Sequence, residues 1–144
     1  MRILNRRAKH DYYLFESFEA GVSLTGAEVK SIKQGRADLS SAFVRIRDGE
    51  TWLVGANIPI YGPSSPEGYD PLRTRKLLLH KRELVSLGTK TRQERLTLVP
   101  LSLYTKGRLV KVQVALARGK KKYEKREAKR RKDIERETER SFRG

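Results

Sequence analysis

The most regular feature of this sequence is a stretch in which apolar side chains occupy every second position. Its apolar members are Val110, Val112, Val114 and Leu116. A period of two puts alternate side chains on opposite faces of a β-strand, so this stretch is predicted to bury one face. In a chain of 144 residues, a sheet that closes on itself leaves no unpaired edges at which copies can associate. The pattern therefore favours a mainly β fold.

Four more segments are predicted as strands. Leu96–Tyr104 is rich in Leu, Val and Thr, and positions 105–107 join it to the alternating stretch with a link of hairpin length. Ala42–Arg47 and Glu50–Val54 flank an Asp-Gly dipeptide, which suits a tight two-residue turn because both residues tolerate positive backbone angles. An N-terminal strand is expected from about Tyr12 to Leu24, where apolar residues again alternate.

Two short helices are predicted between these strands. Thr25 stands as an N-cap, and Glu28 follows three residues later, which is the spacing of a capping box. This helix is expected to end near Lys33, because a glycine suited to the left-handed residue after a helix follows. The second helix is predicted over Lys81–Leu87 and is expected to end at the next glycine.

These elements amount to five or six short antiparallel strands with one or two small helices. We expect a closed antiparallel β-barrel of oligonucleotide-binding (OB) type over residues 1–117, with a β-sandwich as the alternative. Pro59–Leu72 is rich in proline and glycine and is expected to be an exposed loop that carries contacts. Residues 118–144 are predicted to form a basic tail outside this domain.

The chain carries a large excess of positive charge. It has 33 lysines and arginines against 17 aspartates and glutamates, a formal net charge of +16. Such an excess favours a polyanionic partner. Residues 118–144 hold 13 basic and 6 acidic residues, a net of +7, which leaves +9 on the preceding part. Both parts are therefore basic.

The tail is expected to order only against a partner. Its large apolar residues are Tyr123, Ile134 and Phe142, too few to offset the entropy of ordering the segment alone. Pairs such as Glu127 with Arg131 add only a few tenths of a kcal/mol to an isolated helix. We expect the tail to be disordered in solution and helical when bound. A free helix and permanent disorder are the alternatives.

Patterns typical of catalytic and metal sites are missing from the sequence. It has no cysteine and two histidines, which excludes disulfides and thiolate sites and leaves no zinc cluster. Phosphate loops, zinc-protease helices and serine-hydrolase elbows are also missing. His10 and Asp11 are neighbours, and we expect their side chains to diverge, because adjacent residues of a strand point to opposite faces. We expect no enzymatic activity, no cofactor and no metal.

Three clusters of basic residues indicate RNA binding. Asn5–His10 directly precedes Tyr12 and Tyr13, which places phosphate-binding cations beside rings on which a base can stack. A solvated arm with core tyrosines is the alternative for this cluster. Arg73–Lys76 and Arg118–Lys122 are the other two. Three clusters in one small chain favour an RNA-binding protein.

Five segments in series resemble the SsrA-binding protein family, also called small protein B, whose members are the bacterial partners of transfer-messenger RNA in trans-translation. The segments are 5–12, 18–21, 26–31, 70–79 and 117–121. The resemblance covers nearly the whole chain. It implies an OB-type barrel that grips the tRNA-like domain of transfer-messenger RNA near its elbow. It also implies delivery of the alanylated RNA to ribosomes stalled on messages without a stop codon.

The resemblance implies a set of residues that face the tRNA-like domain. They are Asn5, Arg6, Arg7, His10, Glu19, Glu28, Lys30, Ser31, Arg73, Arg75, Lys76 and Leu78. Arginines and lysines are expected to neutralise phosphate, and Asn5 and Glu19 to hydrogen-bond base or ribose edges. Leu78 is expected to make an apolar contact, although a leucine among three leucines is more often a core residue.

For the tail, the resemblance implies a helix in the empty messenger channel of a stalled ribosome, against ribosomal RNA near the decoding site. The family's basic motif matches Lys120, Lys121, Tyr123, Lys125 and Arg126. No apolar run approaches the length of a membrane span, and a cytoplasmic monomer is expected. A ribosomal or general basic RNA-binding protein is the alternative function.

Overall fold

The computed structural model describes residues 2–60, 67–121, 126, 130 and 133–136. Most of this part of the chain is β-structure. The strands are β1 Arg2–Leu4, β2 Tyr12–Val22, β3 Phe43–Arg47, β4 Glu50–Val54, β5 Arg75–Leu78, β6 Thr97–Lys106 and β7 Leu109–Gly119. The helices are α1 Ala8–Asp11, α2 Gly26–Lys33 and α3 Lys81–Gln93. The predicted mainly β fold with small helices is confirmed.

The strands belong to one antiparallel sheet whose pairings form a ring. The order is β6, β3, β4, β5, β2, β7, and β7 pairs again with β6. β1 lies outside the ring and pairs with β6. A single residue pair, Val44 with Leu98, joins β3 to β6, whereas β6 and β7 pair over almost their whole length. Every strand of the ring therefore has a neighbour on both sides.

Both predicted hairpins form. Asp48 and Gly49 turn β3 into β4 with φ angles of 53° and 72°, the positive values that an Asp-Gly turn supplies. In the second hairpin Lys106 pairs with Leu109, so the turn consists of two residues beginning at Gly107. The link expected over 105–107 therefore begins two residues too early and ends one residue too early, because the strand pairing continues closer to the turn than the sequence pattern indicated.

The first predicted helix is confirmed and the second is longer than expected. The hydroxyl of Thr25 accepts from the backbone N–H of Glu28 at 3.3 Å, and the Glu28 carboxylate accepts from the Thr25 N–H at 2.8 Å. α3 continues through Gly88 instead of ending there. Glycine allows a helix to end but does not force it, and Thr91 and Arg92 donate back to the Gly88 carbonyl. The 3- and 4-residue elements β1, α1 and β5 were not predicted, because they are too short to show a period.

The hydrophobic core lies against one face of the sheet, and all six ring strands contribute side chains to that face. Each strand supplies a buried apolar residue: Ala20, Val44, Leu53, Leu77, Leu98 and Val112. α2 adds Ile32 and α3 adds Leu87. A smaller cluster of Ala8, Val99 and Ala117 lies beneath α1. The buried alternation predicted for β7 is confirmed, since Val112, Val114 and Leu116 have at most 2% exposure.

Candidate nucleic-acid interface

An outward face of the sheet gathers an apolar side chain and a cation around a glycine. Gly21 on β2 pairs with Leu78 on β5 and with Lys111 on β7. A Cβ at Gly21 would lie 3.3 Å from Leu78 Cβ and 3.7 Å from Lys111 Nζ, so glycine lets these two side chains approach each other. Leu78 is 55% exposed, whereas Leu77 is 1% exposed. Leu78 is thus an outward residue and not part of the core.

Glu19 lies on the same face as Gly21, two residues earlier on β2. Its carboxylate accepts from the Tyr104 hydroxyl and from Lys106 Nζ at 3.4 Å. The hydrogen bond from Tyr104, with help from Lys106 and Lys111, lowers the pKa of Glu19 below its usual value. Burial and the bond to Glu19 raise the pKa of Tyr104 to about 12. Glu19 therefore carries a charge that its neighbours already balance, which reduces its repulsion of phosphate.

We term this face the Leu78 surface. Its members are Glu19, Leu78, Tyr104, Lys106 and Lys111. Of the residues expected to face RNA it brings together two, Glu19 and Leu78. The sequence analysis did not predict Tyr104, Lys106 and Lys111 as part of the interface. Lys111 could have been found, because it is a polar position in the alternating pattern that predicted β7.

Three of the expected RNA-facing residues lie inside the protein. Arg75 has 0% exposure, Glu28 1% and Ser31 0%. Arg75 Nε donates to Glu28 at 2.6 Å, and its Nη1 donates to the Ala56 carbonyl at 2.7 Å. Ser31 Oγ donates to the Pro59 carbonyl at 2.5 Å. The expected RNA contact of these side chains is corrected here, because no surface remains on them for a partner.

Glu28 is ionised inside this network. Burial opposes its charge, but hydrogen bonds from Arg73, from the Thr25 N–H and from Arg75 outweigh burial and hold its pKa at about 2. Arg73 Nη2 donates to Glu28 at 2.6 Å and to the Ser23 carbonyl at 3.3 Å, and 41% of its side chain is exposed. Arg75 is therefore internal, whereas Arg73 reaches the surface.

The remaining expected cations are on the surface. Lys30 is exposed on α2. The Lys76 side chain is 42% exposed and lies 3.6 Å from Glu50. Arg6 and Arg7 are exposed at the start of α1. These four side chains are free of the internal network and available to phosphate.

Asn5 and His10 have local partners. Asn5 is 9% exposed, its Nδ2 donates to the Pro100 carbonyl at 2.8 Å, and its N–H donates to the Leu101 carbonyl at 2.8 Å. Asn5 thus ties the N-terminal arm to β6, and the base contact expected of it stays a prediction. His10 Nδ1 lies 2.8 Å from Asp11 Oδ1. The expected divergence of these two side chains is wrong, because they belong to a helical turn and not to a strand.

Comparison with known proteins identifies the family. The model of the family described as SmpB protein matches residues 2–144. The chain belongs to the SmpB family. A relative from Sulfurihydrogenibium sp. (strain YO3AOP1), described as SsrA-binding protein, is 51% identical over 140 residues, which is 97% of this chain and 92% of the relative. An SsrA-binding protein from Carboxydothermus hydrogenoformans is 49% identical over 96% of this chain and 93% of its own.

A solved structure has the same fold as this SmpB-family chain. It is described as "tmRNA-SmpB: a journey to the center of the bacterial ribosome". The two agree with a TM-score of 0.72 and 46% sequence identity, over 90% of this chain and 95% of that one. The resemblance inferred from the five sequence segments is therefore confirmed.

The basic motif of the tail is described only in part. Lys120 follows β7, donates its N–H to the Asp11 carbonyl at 2.8 Å, and donates from Nζ to the Lys9 carbonyl at 3.1 Å. Lys121 is exposed, and Arg126 is an exposed helical residue. Tyr123 and Lys125 lie outside the described residues. The expected disorder of the tail in solution remains a prediction.

Within residues 2–60, 67–121 and the described tail positions, no helix has the length and apolar content that crossing a bilayer requires. In the same ranges, no group of three or more His, Cys, Asp or Glu side chains is placed to hold a metal ion.

Proposed function

We propose that this chain binds the tRNA-like domain of transfer-messenger RNA and brings that RNA to stalled ribosomes, without catalysing a reaction. The likeness to the tmRNA-SmpB structure, with a TM-score of 0.72 at 46% identity, carries the proposal. The SsrA-binding proteins at about half identity support the same partner.

We propose that the ring of six strands is a closed barrel of OB type. Its small size leaves room inside for side chains only, so ligands must bind on the outside. The Leu78 surface is such an outside face. We propose that the RNA lies on the strands themselves.

On this reading the Leu78 surface recognises the folded shape of the RNA. Lys106 and Lys111 neutralise phosphates, and the exposed Leu78 packs on a ribose or an unstacked base. The carboxylate of Glu19, balanced by Tyr104 and Lys106, accepts a hydrogen bond from a base or a ribose hydroxyl. Arg6, Arg7, Lys30, Arg73 and Lys76 extend the positive field around this surface.

The basic tail has a separate task in this proposal. Residues 118–144 carry a net charge of +7. The part of this segment that follows β7 binds ribosomal RNA of the messenger channel as a helix, through Lys120, Lys121, Tyr123, Lys125 and Arg126. The domain of residues 1–117 holds the transfer-messenger RNA meanwhile. The chain acts as a monomer in the cytoplasm.

A competition titration tests the proposal. The tRNA-like domain of transfer-messenger RNA competes with an ordinary tRNA and with an unrelated duplex for the protein, at about 0.15 M salt, where surface charges are screened as in the cell. Strong preference for the tRNA-like domain is expected. Equal binding of all three would mean that charge alone accounts for affinity, which is the behaviour of a ribosomal or general basic RNA-binding protein. RNA recovered unchanged in length and mass is expected of a non-enzyme.

A further inference from the structure

Strands β2 and β7 extend as a pair beyond the end of β6, and rings alternate with cations on this extension and directly beside it. β6 pairs with β7 only as far as Ala117, whereas β2 pairs with β7 as far as Gly119. Tyr13 on β2 lies opposite Arg118 on β7. Lys120 Nζ lies 5.2 Å from the centre of the Tyr13 ring, and the Arg118 guanidinium lies 5.6 Å from the Phe15 ring. We term Lys120, Tyr13, Arg118 and Phe15 the ring–cation ladder.

The side chains of the ring–cation ladder lie on the same face of the sheet as the core. On β7, Val114 and Leu116 face the core, and Arg118 follows them at the same period of two. On β2 the register shifts between Leu14 and Ser17. Such a bulge adds a residue to one strand and reverses its alternation, so that Tyr13 comes to the same side as Arg118. Tyr13 and Arg118 lie where only these two strands remain, and Phe15 lies directly before that point.

The rings of the ladder are large apolar surfaces left open to solvent. Tyr13 is 46% exposed and Phe15 49%. A cleft of about 300 Å³ opens beside Phe15 and is also lined by Glu16, Lys90, Glu94, Leu96, Leu116 and Arg118. Lys90 lies 2.7 Å from Glu16 and balances its charge. Exposed rings grouped on a soluble protein mark a binding surface, and the cations beside them favour an anionic occupant.

We propose that the ring–cation ladder stacks unpaired nucleotides of RNA, as a second RNA contact separate from the Leu78 surface. Bases of a duplex already stack on each other, so an aromatic side chain can stack only on a base that has left the duplex stack. Alternating rings and cations match the alternating bases and phosphates of a single strand. Tyr13 and Glu19 are six positions apart on β2, roughly 20 Å at ~3.3 Å per residue. The ladder and the Leu78 surface can therefore be occupied together.

Binding of short oligomers to the full-length protein tests this assignment, which rests on the proposed function. The probes are a labelled oligoadenylate of about eight nucleotides, within the ~4–16 that one such fold covers, and an abasic oligomer of equal length and charge. Wild-type protein is expected to bind the oligoadenylate at least about fivefold more tightly than the abasic oligomer, the lower bound for one stacked base. The Phe15→Leu and Tyr13→Leu variants are expected to lose this preference.

A matched control separates the ladder from rings in general. Phe43 also lies beside an arginine, with Arg45 at 5.4 Å, but on β3, and Phe43→Leu is expected to leave the preference unchanged. Equal binding of both oligomers to wild type, or equal loss in the Phe43 and Phe15 variants, overturns the proposal. The tRNA-like domain is titrated against the same samples. Tight binding of that domain by Phe15→Leu shows that the variant is folded, and failure of wild type to bind it refutes the proposed function and not the ladder alone.

Discussion

Glu28 and Arg75 form an ion pair in the interior that joins α2 to β5. Both side chains are at most 1% exposed, and their nearest nitrogen and oxygen atoms are 2.6 Å apart. Arg75 also donates to the carbonyls of Ala56 and Pro71, so a single guanidinium connects a helix, the segment after β4 and the loop before β5. The pair therefore fixes the position of α2 relative to β5.

Arg75→Ala is predicted to destabilise the protein and not to act as the loss of one phosphate contact. Removing one partner of a buried pair leaves the other charge uncompensated, at a cost of about 3–5 kcal/mol in unfolding free energy. Urea unfolding followed by circular dichroism measures this. Lys76→Ala, the next residue along, removes a surface pair at 3.6 Å and is expected to cost less than about 1 kcal/mol. Equal stability of Arg75→Ala and wild type would contradict the structural role of the pair.

The pH dependence of stability provides a second test of Glu28. Its pKa in the folded protein is about 2, against 4.5 when unperturbed. Because the folded-state pKa is the lower one, ionised Glu28 stabilises the protein fully above pH 4.5, and this contribution disappears as the pH falls from about 4.5 towards 2. Urea unfolding across this range is expected to show a steeper loss in wild type than in Glu28→Gln. Parallel curves for the two proteins would show that other carboxylates dominate.

Leu77 and Leu78 are adjacent and are predicted to respond to substitution in opposite ways. Leu77→Ala removes a side chain with 1% exposure and is expected to cost about 2–5 kcal/mol of stability. Leu78→Ala, at 55% exposure, is expected to leave stability within about 0.5 kcal/mol of wild type and to weaken binding of the tRNA-like domain. Unfolding and RNA titrations on both variants measure the contrast. Unchanged affinity in Leu78→Ala would remove this residue from the interface.

The salt dependence of RNA binding distinguishes Lys111 from cations elsewhere on the chain. If its ammonium neutralises one phosphate, Lys111→Gln is expected to reduce the slope of log affinity against log salt by about 0.7–0.9. Lys81→Gln, an equal change of charge at an exposed position of α3, is expected to leave that slope unchanged. The measurement is the affinity for the tRNA-like domain at a series of salt concentrations. Equal slopes for Lys111→Gln and wild type would place Lys111 outside the contact.

Elements with a clear local signal were predictable from sequence, and those set by tertiary pairing were not. The capping box from Thr25 to Glu28 and the Asp48-Gly49 turn depend on a few adjacent residues, so their patterns sufficed. β5 spans four residues and exists because β2 and β4 flank it, which no local period reveals. The same limit applied to the site. Burial of Arg75 depends on Glu28, 47 positions away, and a sequence pattern cannot distinguish an arginine that meets a carboxylate from one that meets phosphate.

Truncation of the chain after Lys121 is predicted to separate binding of the tRNA-like domain from action on the ribosome. The chain is cut after Lys121 and not after 117, because β7 extends to Gly119 and the Lys120 N–H donates to the Asp11 carbonyl. This shorter chain loses a net charge of +4, from 10 basic and 6 acidic residues after Lys121. It is expected to give the circular dichroism spectrum of a folded β protein and to bind the tRNA-like domain nearly as well as the full chain. Its support of trans-translation on stalled ribosomes is expected to be lost. Trans-translation at the full-length rate would show that the tail is dispensable, while loss of the folded spectrum would show that the tail belongs to the domain.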